Sequence, residues 1–230
     1  MDIAVFIRTY SKDFQWLSLA LKSLHQHVRG FKEIVVAAPD IQGLQHLTAE
    51  KVVQCEDMED GYIGQQLTKL LAFQYTDAEY LLYWDSDVVA LENFNIEEEL
   101  FEQGRPILYK TAYDQIECPW QPITAAVIGF EPQFEYMRRM PLVYHRSDVE
   151  RAVAHMEILH KKPLRQYLEQ LPPRAFSEFN VLGALIDKYK PEEYAIRDTA
   201  TYAAGRNKVR QFWSWGGITQ EVLQEIAEKR

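Results

Sequence analysis

The chain has 230 residues, of which 47% are hydrophobic and 26% are charged, and its formal net charge is −9 at pH 7. This length fits one large domain, or one domain with a small lobe, and the composition excludes a disordered or fibrous protein. The acidic balance disfavours a surface that coats nucleic acid or an anionic membrane, but it admits a polyanionic substrate bound through a divalent cation.

Cysteine usage and the first apolar run predict a cytoplasmic protein. Cys55 and Cys118 are far apart and lack CxxC spacing, so neither a disulfide framework nor a cysteine zinc site is expected. The apolar run Ile3–Ile7 is too short for a signal peptide or a membrane span. We therefore expect a soluble chain without a transmembrane segment.

The first half of the chain alternates between predicted strands and predicted helices. Strands are predicted at 2–10, 33–40, 51–57 and 79–84, and helices at 14–28 and 62–75. Asp13 is a candidate cap for the first helix, and Gly30 is where that helix should stop. The alternation predicts an α/β fold with a mainly parallel central sheet and helices on both faces.

Three polar segments follow these strands: Arg8-Thr9-Tyr10, Asp40, and Asp85-Ser86-Asp87. In parallel sheets, ligands bind beyond the carboxyl ends of the strands. The three segments are therefore expected to converge on one ligand site.

The second half is less regular. Helices are predicted at 95–104, 148–160, 162–171 and 177–189 and from 219 onward, and strands at 106–113, 123–130 and 193–198. Asn95 and Ser177 are the expected caps of two of these helices, and Gly104 is the expected stop of the first. Since the sequence has no internal repeat or linker, one compact unit is predicted.

Asp85 and Asp87 lie two positions apart at the end of a predicted strand. Alternate strand residues project to one face, so the two carboxylates should reach one point while Ser86 turns away. Such carboxylates repel each other unless a cation lies between them, and Mg²⁺ and Mn²⁺ prefer oxygen ligands that they share with substrate phosphates. The alternative interpretation is an acidic turn that closes a strand.

The run QQLTKLLAFQYTDAEYLLYWDSDVV (65–89) resembles a family of bacterial and phage proteins of the GT-A glycosyltransferase superfamily, as does FSEFNVLG (176–183). The resemblance extends from Ile3 to about Gly217. It implies a GT-A-like, Rossmann-like domain over 1–230, with a nucleotide-binding half (1–91) and an acceptor-side half (92–230) that ends in a lid. In that fold a DxD motif holds Mn²⁺ or Mg²⁺ against the diphosphate of a nucleotide sugar.

The resemblance also implies roles for individual residues. Asp87 would be the direct metal ligand, and Asp85 would contact the metal through water or contact the ribose. Glu178 would be the general base, so that Glu178 and Asp85 are the implied catalytic residues. The nucleotide sugar, a UDP- or GDP-sugar, would be bound by Arg8, Thr9, Tyr10, Asp40, Gln66, Lys69, Asp85, Ser86 and Trp213. Residues 123–130 would form a strand and turn under the sugar or acceptor.

The chain departs from the GT-A pattern near its C-terminus. Many such enzymes add a histidine ligand there, but no histidine follows His160. The metal would then be held by the aspartates, diphosphate and water, or WSWGG (213–217) would close the site without ligating.

The loop 203–217 mixes cations with aromatic residues: Arg206, Lys208, Arg210, Trp213 and Trp215. It is interpreted as a lid over the diphosphate, or alternatively as a solvated loop with one tryptophan in the core. Binding of single-stranded nucleic acid by this loop is disfavoured by the negative net charge of the chain.

Several other residues have structural interpretations beside functional ones. Glu178 could be favoured at a helix start by the helix dipole alone. His155 and His160 lack HExxH spacing and are expected on a helix surface, and His145 is either an acceptor contact or a loop residue.

Two other functions stay open. A phosphohydrolase of the HAD type also uses DxD, but there the motif normally ends the first strand. A GT-A-shaped domain that binds a nucleotide or glycan without turnover is the second. The sequence has no GxxxxGK[ST], GxGxxG or GxSxG motif, so the corresponding nucleotide-binding and hydrolase classes are not indicated.

Overall fold

A computed structural model describes residues 1–47, 50–113, 120–202 and 207–228. The strands in chain order are β1 (Ile3–Arg8), β2 (Val28–Arg29), β3 (Glu33–Ala38), β4 (Lys51–Gln54), β5 (Tyr80–Tyr83), β6 (Val88–Ala90), β7 (Phe94–Asn95), β8 (Phe101–Glu102), β9 (Arg105–Ala112), β10 (Phe134–Glu135), β11 (Leu142–His145), β12 (Ala195–Asp198) and β13 (Val209–Gln211). The helices are α1 (Phe14–His27), α2 (Gly61–Leu70), α3 (Ile96–Leu100), α4 (Gln121–Ile128), α5 (Arg146–His160), α6 (Leu164–Leu168), α7 (Glu178–Tyr189) and α8 (Gln220–Glu228).

The central sheet has five strands in the order β11-β5-β1-β3-β4. Its neighbouring strands are parallel except for β11, which runs antiparallel along β5. A second sheet has the order β10-β9-β12, and β8 also pairs with β9. The predicted α/β fold with a mainly parallel central sheet is therefore confirmed, and it is compatible with a Rossmann-like architecture.

The central sheet is covered on both faces, as its apolar strands predict. Val5 and Ile7 of β1 pack in one cluster with Leu17 of α1. Phe6 of the same strand belongs to the cluster on the other face, with Leu67 of α2. Because side chains of a strand alternate between faces, one buried strand holds a helix on each side. Full burial of each such side chain contributes about 1.5–3 kcal/mol.

The prediction of a strand at 123–130 is wrong, because most of this segment belongs to α4. Pro122 lies in the first turn of the helix, and Gly129 follows its end with φ of 78°. Proline at the start and a left-handed glycine after the end are favourable helix boundaries. A short apolar run does not itself distinguish a buried helix from a buried strand.

The helix predicted at 95–104 is shorter than expected. Asn95 caps α3 as predicted, since its side chain accepts a hydrogen bond from the N–H of Glu97. The helix ends at Leu100, and the chain then reverses through Gln103 and Gly104, which have φ of 52° and 77°. The reversal lets β8 pair with β9, so tertiary strand pairing overrides the helical pattern here.

The structure confirms some of the other predicted element boundaries and differs from the rest. Ser177 caps α7 by accepting from the N–H of Asn180, as predicted. In the described range 1–47, the Asp13 side chain makes no capping hydrogen bond to α1, and this helix ends at His27 instead of Gly30. The predicted helix 62–75 is split into α2 and a short 3-10 turn. The strand predicted at 193–198 corresponds to β12, and it is not the last strand, because β13 follows it.

Neither a membrane-spanning helix nor a disulfide is described. Among the described residues, every helix is too short or too polar to cross a membrane. Cys55 is a buried free thiol, and Cys118 lies outside the described residues.

Gly183 allows α7 to approach Tyr136, and we expect Gly183→Ala to destabilise the fold. An added Cβ would lie 2.2 Å from Cγ of Tyr136. This ring is buried and its hydroxyl donates to Asp187, so it has little room to move. Overpacking should cost about 1–3 kcal/mol or more of unfolding free energy in urea titrations. Gly61→Ala is the matched control, because its Cβ would meet no atom of the described chain within 4 Å. Equal midpoints for the two variants would contradict the expectation.

Candidate functional site

The DSD segment lies in the turn that joins β5 to β6, and not on a strand as predicted. The two carboxylates nevertheless reach one point. Nε2 of Gln211 lies 3.4 Å from Oδ2 of Asp85 and 3.2 Å from Oδ1 of Asp87. The predicted juxtaposition is therefore confirmed, although a turn and not strand alternation produces it. Ser86, between them, is buried.

The C-terminal segment 208–217 packs directly on this turn. Its strand β13 pairs antiparallel with β6, and the N–H of Phe212 donates to the carbonyl of Asp87 at 2.9 Å. The N–H of Ser214 donates to Oδ2 of Asp87, also at 2.9 Å. The first bond holds the backbone of Asp87 and the second holds its carboxylate, both from a segment more than a hundred residues later in the chain.

The tryptophans of this segment are exposed. Trp213 is 59% exposed and Trp215 is 85% exposed, so the alternative interpretation with a tryptophan in the core is wrong. Phe212 is the buried aromatic residue, and it stacks on Trp16 with 6.0 Å between ring centroids. Arg206, a predicted lid residue, lies outside the described residues.

Lys69 connects the aspartates to α7. Its Nζ lies 2.7 Å from Oδ1 of Asp85 and 3.2 Å from Oε1 of Glu178, and its side chain is 4% exposed. Burial lowers the pKa of Lys69, but the two carboxylates outweigh burial and raise it overall. Lys69 is therefore an ammonium that points at the DSD turn, as its predicted role requires.

Glu178 is the second carboxylate that Lys69 contacts. Its side chain is 2% exposed, and burial raises its pKa while Lys69 opposes that shift. A general base must reach the acceptor hydroxyl, directly or through one water. The observed contacts are those of a buried counterion for Lys69, and the predicted role as base stays a prediction.

Gln66, a predicted donor contact, has a structural contact in this region. It is buried, and its Oε1 accepts a hydrogen bond from the N–H of Glu178 at 3.1 Å. That bond satisfies one of the amides left open at the start of α7.

The polar residues after β1 and β3 line a cleft of about 460 Å³. Its lining consists of Arg8, Tyr10, Ser11, Pro39, Asp40, Asp57, Gly61, Tyr62, Gln65 and Arg174. Arg8, Tyr10 and Asp40 thus meet as predicted, but the lining of this cleft does not include the DSD turn or Trp213, which were predicted to join them. Thr9 is different, because its side chain is buried and its N–H donates to the carbonyl of Ala37, continuing the ladder between β1 and β3.

Asp13, the predicted cap of α1, has its contact on the other side. Its carboxylate is hydrogen-bonded to Ser214, the residue whose N–H also donates to Asp87. Burial raises the pKa of Asp13, and the negative charges of Asp87 and Asp85 raise it further, against the hydrogen bond with Ser214 and the charge of Arg8. Asp13 therefore lies near the DSD turn, which its expected role as a helix cap did not indicate.

Three histidines make contacts between elements of the fold. His155 and His160 contact the carbonyls of Ile128 and Val127, which ties α5 to α4. His145 ends β11 and is not a loop residue, and its ring lies 4.6 Å from that of Tyr80. The expectation that His155 and His160 are not metal ligands of a zincin agrees with these contacts.

The donor set at the DSD turn suits a hard divalent ion. Asp85 and Asp87 offer carboxylate oxygens at one point, and burial followed by the charge of Asp85 raises the pKa of Asp87. A cation would relieve this repulsion. Within the described ranges, no three His, Cys, Asp or Glu side chains form a group able to hold a metal. The chain would therefore supply two carboxylates and leave the remaining positions to phosphate oxygens and water.

Comparison with known proteins gives one family match. A family model with the description "Family of unknown function (DUF6492)" matches residues 5–210. No curated protein matches the chain.

Proposed function

The chain belongs to the DUF6492 family of unknown function, and we propose from its site that it is a metal-dependent glycosyltransferase with a GT-A-like fold. It would transfer a sugar from a nucleotide sugar, such as a UDP- or GDP-sugar, to an acceptor hydroxyl. The observation that carries the proposal is the meeting of Asp85, Asp87 and Lys69 at the carboxyl end of the central sheet.

Lys69 separates the roles of the two aspartates. Its ammonium lies 2.7 Å from Oδ1 of Asp85, whereas the Asp87 carboxylate accepts hydrogen bonds from the neutral amide of Gln211 and the N–H of Ser214. The charge of Lys69 is the weakest of the influences on the pKa of Asp87, and a divalent ion gains more from the carboxylate that is less compensated. We therefore assign Asp87 as the direct ligand, with Asp85 bound to metal-coordinated water or the ribose.

The cleft beside β1 supplies the groups that a nucleoside diphosphate requires. Arg8 and Arg174 offer guanidinium donors for phosphate oxygens, and Tyr10 and Tyr62 offer ring faces for a base or ribose. Asp40 provides a carboxylate that accepts from a base or ribose donor. A bound metal would offset the negative charge that develops on the leaving diphosphate.

The two alternatives differ from this proposal in measurable ways. A phosphohydrolase of the HAD type would form a covalent phospho-aspartate on Asp85, but β1, β3 and β4 of the central sheet all precede the DSD turn. A non-catalytic domain would bind the nucleotide without releasing a product. The location of DSD after β5 supports the transferase over the phosphohydrolase.

A thermal-shift screen of nucleotide sugars with and without Mn²⁺ tests the proposal. A ligand that binds only the native state at 100 times its Kd stabilises it by about 2.7 kcal/mol. We expect one donor to raise Tm only when Mn²⁺ is present, and the same pair to release nucleoside diphosphate when an acceptor is added.

Three results would contradict this expectation. The first is stabilisation by Mn²⁺ alone that no nucleotide sugar increases. The second is incorporation of phosphate into Asp85, which would establish the phosphohydrolase. The third is donor binding without any nucleoside diphosphate release across an acceptor panel, which would leave a binding domain.

A further inference from the structure

A second cleft, of about 480 Å³, adjoins the DSD turn. Its lining consists of Phe94, Glu99, Leu100, Tyr109, Thr111, Arg138, Arg139, Met140, Pro141, Thr199, Val209, Arg210, Gln211 and Trp213. Gln211 is the residue that contacts both Asp85 and Asp87. A molecule bound in this cleft would therefore lie next to the residue that contacts both carboxylates.

The lining of this cleft is rich in guanidinium groups, although the whole chain has a net charge of −9. It contains three arginines and one glutamate. Glu99, Arg138 and Arg210 each take part in an ion pair, with Lys208, Glu135 and Glu225 respectively. The lining thus favours an anion through charge-assisted hydrogen bonds from its arginines, and not through a large net charge.

The arginines are held in place by their other contacts. Arg139 donates to the carbonyl of Tyr202 at 2.5 Å, and its Cζ lies 4.6 Å from the ring centroid of Tyr109. Arg210 pairs with Glu225 and lies over the ring of Phe212. A guanidinium has five N–H donors, so Arg210, which donates to Glu225 through Nη1, keeps further donors for an oxyanion.

The same cleft also offers groups for a sugar ring. Thr111 and Thr199 lie in its wall, where their hydroxyls share a hydrogen bond of 2.5 Å and keep lone pairs for a further donor. Trp213 is 59% exposed at the cleft, so that its ring face is available for stacking. Hydroxyls and an aromatic face are suited to a polyol with one apolar side.

We propose that this cleft binds the acceptor, and that the acceptor is a sugar that carries an anionic group, phosphate or carboxylate. The location of the cleft gives the sugar access to the DSD turn through Gln211 and Trp213. The anionic group is held by Arg139 and Arg210. The role as acceptor rests on the proposed function, whereas anion binding in this cleft does not.

Calorimetric titration of the full chain with three probes tests the proposal: glucose 6-phosphate, glucuronate and glucose. No metal or nucleotide is added, so that the result is independent of transfer. We expect at least one anionic probe to bind about tenfold or more tightly than glucose, because charge-assisted hydrogen bonds are lost with the anion. The stronger of the two anionic probes identifies phosphate or carboxylate as the group.

Arginine variants test whether the anionic probe binds in this cleft. Arg139→Gln and Arg210→Gln should each lower the affinity for the anionic probe by about tenfold and leave the affinity for glucose unchanged. Arg165→Gln, in an exposed ion pair with Glu56, is the matched control and should leave both unchanged. If Arg139→Gln fails to fold, Arg210→Gln carries the test, because the side chain of Arg210 is 55% exposed.

Two outcomes would overturn the proposal. In the first, the three probes bind equally or none binds. In the second, Arg8→Gln removes binding of the anionic probe while the cleft variants keep it, which would locate the anion in the cleft beside β1. Failure of the proposed function looks different, since nucleotide sugars would then fail to bind while the anionic probe still binds here.

Discussion

Asp87→Asn is expected to abolish the Mn²⁺-dependent part of nucleoside diphosphate binding while the fold stays intact. Asn keeps an oxygen that accepts from Ser214 or Gln211, but it loses the negative charge that a hard cation requires. Loss of even an outer-shell partner costs about 10–100-fold in metal affinity, and loss of a direct ligand should cost at least as much. Calorimetry of nucleoside diphosphate with and without Mn²⁺ measures the difference.

Asp77→Asn is the matched control for this experiment. Asp77 is exposed, so the control removes the same charge without touching the site. Its metal-dependent affinity should equal that of the parent chain. An Asp87→Asn protein that retains the full Mn²⁺ effect would show that Asp87 is not the ligand.

Lys69→Met is expected to cost about 3–5 kcal/mol of unfolding free energy, because it removes the cation that contacts the buried carboxylate of Glu178 and the partly exposed carboxylate of Asp85. Both carboxylates would then lose their ion-pair partner. Urea unfolding measures the effect. Lys22→Met, an exposed lysine of α1, is the control and should change stability by about 0.5 kcal/mol or less.

The double variant Lys69→Met/Glu178→Gln isolates the buried pair. Removing the carboxylate together with the ammonium leaves less uncompensated charge, so the double variant should be more stable than Lys69→Met alone. Additive losses from the two single variants would mean that the 3.2 Å contact of Lys69 with Glu178 carries no coupling.

Glu178→Gln alone also decides between two roles of this residue. If Glu178 is the general base, transfer should fall by about 10²–10⁴-fold while donor affinity is unchanged. If it is the counterion of Lys69, donor affinity should change as well, because the charge beside Asp85 changes. Measuring KM for the donor together with kcat separates these results.

Much of the first half of the molecule was predictable because its signals are local. The uniformly apolar strands Ile3–Arg8 and Tyr80–Tyr83 identify a buried parallel sheet, and polar residues directly after such strands identify a ligand edge. Lys69 was inferred from a resemblance within the segment 65–89, and its contact with Asp85 is observed. These features depend on neighbours within about one strand–helix unit.

The rest depended on contacts that no local pattern records. Gln211 lies 126 positions after Asp85, and nothing in VRQFWS indicates that its amide reaches the DSD turn. Asp13 has the sequence position of a helix cap, and only the packed structure brings it to the other carboxylates. The apolar segment 123–130 fits a helix or a strand equally well, until proline and glycine at its ends are weighed.

The bonds from Phe212 and Ser214 to Asp87 also bear on synthesis of the protein. All five strands of the central sheet have been translated once His145 is added. The partners that hold the carbonyl and the carboxylate of Asp87 come about seventy residues later. Because nascent domains begin to fold from the N-terminus, a chain still attached to the ribosome can pair its central sheet before it can order Asp87. Ribosome-bound chains would then form this sheet before the segment that orders the DSD turn has been made.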